Sequence, residues 1–215
     1  DHLSTGDPMA NLEPIGVVDI GSNSVRFVIY DGLTRAPTPV FNEKVLCGLG
    51  KSVASTGRLG NKSVRCAIQA LPRFHAIARN LGVKSIKAIA TAAVREAADG
   101  PDFIQRGERE LGAPIEVLSG EKEAMLAAQG IMMGIIGADG VAGDLGGGSL
   151  ELVHIDGQHA ARGASLPFGT LWLPQLRADG PDKFARRIKK ALVASEWHCL
   201  EGEALYLVGG SHRSL

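Results

Sequence analysis

The sequence predicts an α/β protein of two lobes, each built on a mixed β-sheet flanked by helices. Residues 18–32 (VDIGSNSVRFVIYDG) recur without a gap, 125 positions later, as residues 143–157 (GDLGGGSLELVHIDG). Both copies run from an apolar segment through an Asp and a Gly/Ser-rich turn into an apolar strand and Asp-Gly, which is typical of a β-hairpin. Strand-like and helix-like segments alternate after the first copy, which indicates parallel strands joined by helices.

This repeat divides the chain into three parts. We expect a leader over residues 1–13, a first lobe over residues 14–126 and a second lobe over residues 127–215. The leader lacks the basic and then apolar pattern of a signal peptide. The second lobe holds fewer predicted elements than the first, so we expect that lobe to be incomplete at its C-terminal end.

The elements of the first lobe follow from apolar spacing and turn residues. Residues 47–62 are rich in Gly and Ser and are predicted to form a loop. Asn61 or Ser63 is then expected to cap a helix that Pro72 kinks and that ends at Leu81-Gly82. The predicted strands are 15–19, 25–30, 40–46, 84–90 and 114–118, and the predicted helices after that long one are 91–97, 101–111 and 120–133.

The first strand-like segment of the second lobe begins near residue 138 and leads into the repeated hairpin. A third strand is expected around residues 159–166, and residues 204–208 are predicted to form a strand that ends in Gly209-Gly210. Residues 182–194 have the spacing of an amphipathic helix. Its predicted inward-facing residues are Phe184, Ala185, Ile188, Ala191 and Leu192.

Composition excludes several classes of partner. The 23 basic and 23 acidic residues balance, so the basic excess expected of a nucleic-acid-binding protein is missing. No apolar run reaches the roughly 18–20 residues of a membrane helix, which argues against a membrane partner. The three cysteines lack metal or redox spacing and indicate free thiols in the cytoplasm. The GLGKS segment at 48–52 is not a P-loop, because Val45 stands where that motif needs Gly.

The two hairpin turns are candidate phosphate-binding loops. Small residues leave backbone N–H groups accessible, and glycine lets an anion approach the backbone closely. A plain hairpin turn is the alternative for either copy alone, but two copies that each follow a strand-ending Asp favour binding. The candidate residues are Gly21, Ser22, Asn23 and Ser24 in the first loop and Gly146, Gly147, Gly148 and Ser149 in the second.

Carboxylates beside these loops are candidate metal ligands. Asp19 and Asp144 end apolar strands, where an unpaired carboxylate would be costly to bury. Mg²⁺ prefers one or two carboxylates together with substrate phosphates, so both residues suit it directly or through water; capping of the turn amides is the alternative. Glu151 lies across the second turn and offers a carboxylate to metal or water, whereas the first copy has Arg26 there, which suits phosphate. An outward-facing surface charge remains the alternative for Glu151.

Two further strand-to-helix turns carry polar candidates. Thr91 and Arg95 lie at the end of one strand and on the first turn of the next helix, where both can reach an anion. Pairing of Arg95 with Glu96 or Asp99 is equally compatible with the sequence. At the next turn Glu123 favours the helix dipole, and it can also serve as a general base that orients water.

Five ordered segments together resemble one family. VVDIGSNSVRFVIYDG, AIATAAVREA, IEVLSGEKEA, GDLGGGSLELV and SLPFG resemble the exopolyphosphatase / guanosine pentaphosphate phosphohydrolase family of the actin-like ATPase superfamily, over about residues 14–215. The resemblance implies two ribonuclease-H-like lobes with an active site in the cleft between them. It also implies Mg²⁺-dependent release of a terminal phosphate from inorganic polyphosphate or guanosine pentaphosphate, and it is compatible with a homodimer.

The resemblance also assigns roles. It implies that Glu123 activates water and that Asp144 and Glu151 bind metal and water, with VGGSHR (208–213) as a late glycine turn. Lys122 departs from the family pattern, in which a second acidic residue is frequent. An actin-like kinase and a non-catalytic nucleotide-dependent switch or filament subunit remain the alternative functions. The residues that the resemblance assigns to phosphate are Asn23, Ser24, Arg26 and Arg95.

Overall fold

A computed structural model describes residues 13–34, 36–157, 159–161, 163–178, 180–195 and 204–210. The strands are β1 (Ile15–Ile20), β2 (Ser24–Tyr30), β3 (Pro39–Leu46), β4 (Ser85–Ala90), β5 (Ile115–Val117), β6 (Asp139–Leu145), β7 (Leu150–Asp156), β8 (His159–Ala160), β9 (Ala164–Leu166) and β10 (Leu205–Val208). The helices are α1 (Val53–Thr56), α2 (Asn61–Asn80), α3 (Ala92–Glu96), α4 (Gly100–Leu111), α5 (Gly120–Gly134), α6 (Leu173–Arg177) and α7 (Pro181–Ala194), with a 3₁₀ turn at Leu49–Lys51.

Two mixed sheets of matching topology form the two lobes. The first has the order β3-β2-β1-β4-β5. Strand β2 is antiparallel to both of its neighbours, β1 and β3, whereas β4 is parallel to β1 and β5 is parallel to β4. The second has the order β10-β6-β7-β8, with β9 also on β7; its hairpin is antiparallel and β10 runs parallel to β6. The predicted α/β class with mixed sheets is therefore confirmed. The two copies of the sequence repeat form equivalent antiparallel hairpins, β1–β2 and β6–β7, one in each sheet.

Each sheet has its own hydrophobic core. In the first lobe, Phe27 of β2 is fully buried and stacks on Phe74 of α2, with 5.1 Å between the ring centroids. The second core is smaller and is formed where α5 packs on β6 and β7 through residues such as Ala124, Ala128 and Val153. The division of lobes predicted after residue 126 therefore falls within a helix whose packing is with the second sheet.

Three predicted elements differ in the structure. The single strand expected around 159–166 is two short strands, because β8 pairs with the end of β7 and β9 with its beginning. The loop expected over 47–62 contains the 3₁₀ turn and α1. Helix α2 begins after Gly60 without a side-chain cap, so neither Asn61 nor Ser63 caps it.

Helix α7 is amphipathic but less buried than predicted. Ala185 is exposed, and the other four predicted inward-facing residues are only half-buried. Within the described part of the chain, this helix packs mainly against the short α6 rather than against a sheet, and those residues cover little of its apolar face. Among the described residues no helix combines the length and the apolar character needed to cross a bilayer.

Helix α2 continues through Pro72 in one piece, although an interior proline removes a backbone hydrogen bond. Substitution Pro72→Ala is expected to raise the free energy of unfolding by roughly 1–2 kcal/mol. An interior proline costs about 3 kcal/mol, and the gain is reduced because proline also restricts the unfolded chain by up to about 1 kcal/mol. Urea unfolding measures the change, with Ala76→Pro at a nearby exposed position as the opposite control. Equal stability of Pro72→Ala and the parent chain would contradict this expectation.

Candidate active site

The two glycine-rich turns have the same backbone structure. The N–H of Gly21 donates to the carbonyl of Ser24 at 3.0 Å, and the N–H of Gly146 donates to the carbonyl of Ser149 at 3.0 Å. We call residues 21–24 the first glycine loop and residues 146–149 the second. β1 leads into the first loop and β6 into the second, so the loops occupy equivalent positions in the two sheets.

The two loops touch each other across the cleft between the lobes. The side chain of Ser22 is buried, and a Cβ at Gly148 would lie 2.7 Å from its Oγ. A Cβ at Gly147 would lie 3.1 Å from the Cβ of Ser22. Because Gly147 and Gly148 have no Cβ, the two lobes can approach each other closely at the loops. Ser22, a predicted phosphate ligand, packs between the loops, whereas Asn23 is exposed.

A segment far along the chain supports the first glycine loop. The N–H of Gly50 donates to the carbonyl of Ser22 at 2.8 Å. The N–H groups of Cys47 and Gly48 donate to the carbonyl of Asn23 at 3.1 and 2.9 Å. The stretch that superficially resembles a P-loop therefore holds the first glycine loop in place, a role that the sequence analysis missed.

The SLPFGT segment supports the second glycine loop in the same way. Three consecutive N–H groups donate to loop carbonyls. The N–H of Gly169 donates to Gly148 at 3.3 Å, that of Thr170 to Gly146 at 3.0 Å, and that of Leu171 to Gly147 at 2.9 Å. A Cβ at Gly169 would lie 2.2 Å from the carbonyl carbon of Gly148, so only glycine fits there. Gly48 and Gly50 in the first supporting segment and Gly169 in the second were the available sequence signal.

A cleft of about 610 Å³ brings predicted residues from both lobes together. Four of them line it: Asp19 and Thr91 from the first lobe, Glu123 from the start of α5 and Asp144 from the second lobe. The remaining wall is mostly apolar, and it includes Tyr30, Ile89, Leu118, Leu126, Ile131 and Val208.

Glu123 is held by Arg95. The Oε2 atom of Glu123 accepts a hydrogen bond from Nη1 of Arg95 at 3.1 Å, and the same Nη1 donates to the carbonyl of Leu118 at 2.8 Å. Arg95 also lies 3.9 Å from Glu96, so the surface pairing considered above exists but is the longer contact. Burial raises the pKa of Glu123 above its usual range, while Arg95 opposes the rise. The carboxylate is thus oriented and has an increased proton affinity.

Ser119 helps to place this carboxylate at the start of α5. Its hydroxyl accepts a hydrogen bond from the N–H of Lys122 at 3.2 Å, so it caps the helix on whose first turn Glu123 lies.

Glu151 is buried, with 2 % of its surface exposed, which rules out the alternative of an outward-facing charge. It lies opposite Asp144 in the register of β6 and β7. Its Oε1 accepts a hydrogen bond from Oγ of Ser165 at 2.9 Å. Burial, followed by the charge of Glu123, raises the pKa of Glu151 to about 7, although hydrogen bonds from Ser149 and Ser165 lower it. Ser165 was not among the predicted residues.

Negative charge is concentrated around Asp19. Burial and then the charge of Asp144 raise the pKa of Asp19, while Arg26 and Lys44 lower it. Lys44 lies beside Arg26 in the register of β3 and β2, and sequence analysis missed it. Within the described part of the chain, no group of three or more His, Cys, Asp or Glu is arranged to hold one metal ion. Asp19, Asp144 and Glu151 therefore do not form a closed three-ligand set.

Three other predicted features occupy distinct positions. Arg26 is exposed, and its Nε donates to Oδ1 of Asn42 at 3.0 Å on the neighbouring strand. Thr91 is buried at the end of β4, where its N–H donates to the carbonyl of Ile20 at 3.2 Å. Gly209 has a φ of 94°, and a Cβ there would lie 2.5 Å from Oδ1 of Asp144. The late glycine turn thus begins beside the cleft, and residues 211–213 lie outside the described residues.

Two lobes of this topology, with glycine loops in contact and a carboxylate-lined cleft, define an α/β protein with the actin-like fold. Residues 28–195 match the Ppx/GppA phosphatase family, and the chain belongs to that family.

Similar proteins agree with this assignment. The chain is 30% identical over 168 residues to Exopolyphosphatase 1 of Mycobacterium leprae, a match that covers 74% of this chain and 50% of that protein. An exopolyphosphatase structure from Cytophaga hutchinsonii has a TM-score of 0.82 at 25% identity, covering 94% of this chain and 68% of the other. The Aquifex aeolicus PPX-GPPA enzyme has a TM-score of 0.75 at 26% identity, covering 94% and 69%. The chain thus spans about half the length of the curated relatives it matches.

Proposed function

We propose that the protein is a phosphohydrolase that releases terminal orthophosphate from inorganic polyphosphate, from guanosine pentaphosphate, or from both. The observation that carries this proposal is the position of Glu123, which Arg95 holds at the cleft that Asp19 and Asp144 also line. The similarity to proteins named exopolyphosphatases favours polyphosphate as the first substrate to test. A cytoplasmic setting is part of the same proposal, because the three cysteines are odd in number and do not have the spacing of a disulfide framework.

In this mechanism Glu123 accepts a proton from a water molecule that attacks the terminal phosphorus in line. The raised pKa of Glu123 favours proton acceptance, because a general base works best when its pKa approaches the working pH. The backbone N–H groups of both glycine loops, together with Arg26 and Arg95, stabilise charge on the equatorial oxygens. Glu151, fixed by Ser165, holds the water on its other side.

Mg²⁺ fits the residues beside this water. Besides burial, the charge of Asp144 raises the pKa values of Asp19, Glu123 and Glu151, and a cation beside Asp144 would relieve that repulsion. Asp19 and Asp144 would hold the ion together with substrate oxygens, and Glu151 would contact it through water, a ligand set that Mg²⁺ prefers. When bound, the ion would neutralise charge on the phosphates.

Removal of Mg²⁺ with a chelator is expected to abolish phosphate release, and added Mg²⁺ to restore it. Substitution Asp144→Asn removes a charged ligand, so the Mg²⁺ concentration for half-maximal activity should rise at least about tenfold. Steady-state phosphate release over a Mg²⁺ titration measures this, with Asp139→Asn at the exposed start of β6 as the matched control. Full activity in the presence of chelator would contradict the assignment.

Substitution Ser165→Ala is expected to lower kcat roughly tenfold with little change in KM. It removes a hydrogen bond to a buried carboxylate, and bonds to charged groups contribute about 1.5–3 kcal/mol. The loss of this bond can also lower the free energy of unfolding by up to that amount, although Ser165 itself is exposed and water can take the place of its hydroxyl. Initial rates of phosphate release test it against Ser85→Ala, an exposed serine at the start of β4. An unchanged kcat would show that Glu151 does not need this hydroxyl.

One assay decides among the candidate functions. Phosphate release with Mg²⁺ is measured on long-chain polyphosphate, guanosine pentaphosphate and ATP, using the longest natural form of the protein. Release from either of the first two supports the proposal and identifies the substrate. If neither of these substrates releases phosphate, transfer of phosphate from ATP to an acceptor would favour the kinase. ATP binding without turnover would favour the switch. Sedimentation of the same sample tests the predicted homodimer.

A further inference from the structure

Two cysteines of the first lobe face each other beside the first glycine loop. The Sγ atoms of Cys47, just after β3, and Cys66, on α2, lie 2.7 Å apart. This distance is shorter than a non-bonded contact between sulfur atoms and only slightly longer than the roughly 2.05 Å of a disulfide bond. Both side chains are half-buried rather than enclosed, so small oxidants can reach them.

The pair adjoins the machinery that supports the first glycine loop. The N–H of Cys47 is one of the donors that hold the carbonyl of Asn23. Three residues before Cys66 on α2, Oγ of Ser63 donates to the carbonyl of Gly48 at 3.0 Å. The sulfur pair therefore spans the same junction between α2 and the supporting segment as an existing hydrogen bond.

We infer that Cys47 and Cys66 form a reversible disulfide that fastens the support of the first glycine loop to α2. The bond requires the two sulfur atoms to approach by less than 1 Å. Such a small movement leaves the glycine loop in place, so oxidation stabilises the first lobe by linking the supporting segment covalently to α2. This inference does not depend on the proposed hydrolase activity.

Glutathione disulfide is the class of oxidant that balances the reaction. The Cys66 thiolate attacks one sulfur of glutathione disulfide, forms a mixed disulfide and releases one glutathione thiolate. Cys47 then attacks the Cys66 sulfur, loses its proton to solvent and releases the second glutathione. The protein loses two hydrogen atoms, and two molecules of glutathione are formed.

The order of attack follows from the surroundings of Cys47. Burial and the hydrogen bond and charge of Cys66 raise the pKa of the Cys47 thiol to about 12, so Cys47 is the poorer first nucleophile. The contributions from the Cys66 thiol disappear once its sulfur is in the mixed disulfide. Cys47 then ionises more readily and completes the exchange.

The experiment treats the protein with glutathione disulfide, blocks free thiols and maps the linked peptides by mass spectrometry. We expect a peptide pair joined through Cys47 and Cys66, lost on treatment with dithiothreitol. The disulfide restrains the unfolded chain between these residues, so Tm should rise by about 5–10 °C in the oxidised form. Cys66→Ser is the matched control, whose Tm should not respond to oxidant.

Each other result would overturn the inference. Separate glutathione adducts on Cys47 and Cys66, or linkage of either to Cys199 in the parent chain, would show that the pair does not close. A Cys199→Ser variant excludes competition by that third thiol. A Cys47–Cys66 linkage with no rise in Tm would show that the bond does not stabilise the first lobe.

Discussion

Substitution Glu123→Gln is expected to lower the rate of phosphate release by about 10²–10⁴-fold, the usual contribution of a general base. The amide keeps the size of the side chain, and its oxygen can still accept the hydrogen bond from Arg95. It cannot take the proton of the attacking water. Substrate binding should therefore survive while kcat falls.

The stability of this variant separates a catalytic role from a structural one. Burial raises the pKa of Glu123, which means that its negative charge is unfavourable in the folded protein. Removing that charge should leave Tm unchanged or slightly higher. Glu121→Gln changes an exposed acid on the same helical turn and should retain activity. Near-normal turnover by Glu123→Gln would show that Glu123 is not the general base of the reaction.

Substitution Gly169→Ala is expected to reduce phosphate release by about 10²-fold through the second glycine loop. The new Cβ would lie 2.2 Å from the carbonyl carbon and 2.3 Å from the carbonyl oxygen of neighbouring loop residues. Both contacts are backbone atoms, so the loop has to move by about 1 Å to reach van der Waals distance. A misplacement of that size can cost about 10²-fold in rate. Crowding should also lower the free energy of unfolding by about 1–3 kcal/mol.

A matched control distinguishes displacement of the loop from a general effect of removing glycine. Gly134 ends α5, is exposed and has nothing within 4 Å of the position of a Cβ. Gly134→Ala should keep full activity and stability. Initial rates and urea unfolding are compared for both variants. Full activity of Gly169→Ala would mean that the second loop does not need its present position for turnover.

The first lobe could be predicted closely because its signals are local. The hairpin of β1 and β2 follows from alternating apolar residues around a Gly/Ser turn, and a strand has one dominant way to bury such a pattern. Helix α4 likewise ends at Leu111, directly before Gly112, whose φ of 70° suits glycine. Helix α7 was harder, because its spacing identifies an amphipathic helix but not the surface that covers it.

The candidate site was predictable where one segment carries the signal. Asp19 and Asp144 were found because each ends a strand before a glycine loop, and both line the cleft. Arg26 was assigned to phosphate from its place in the repeat. The orientation of its side chain, which donates to Asn42, depends on β3 sixteen residues away along the chain.

The sequence by itself determined the α/β class, the duplicated hairpin and the chemical identity of the glycine loops and carboxylates. These depend on residue type and short-range periodicity, which the chain carries locally. Only the tertiary structure decided that Ser165 holds Glu151, that Arg95 holds Glu123, and that residues 47–50 and 169–171 support the two loops. The physical reason is that hydrogen bonds between distant segments, and the burial that shifts a pKa, exist only once the lobes have packed.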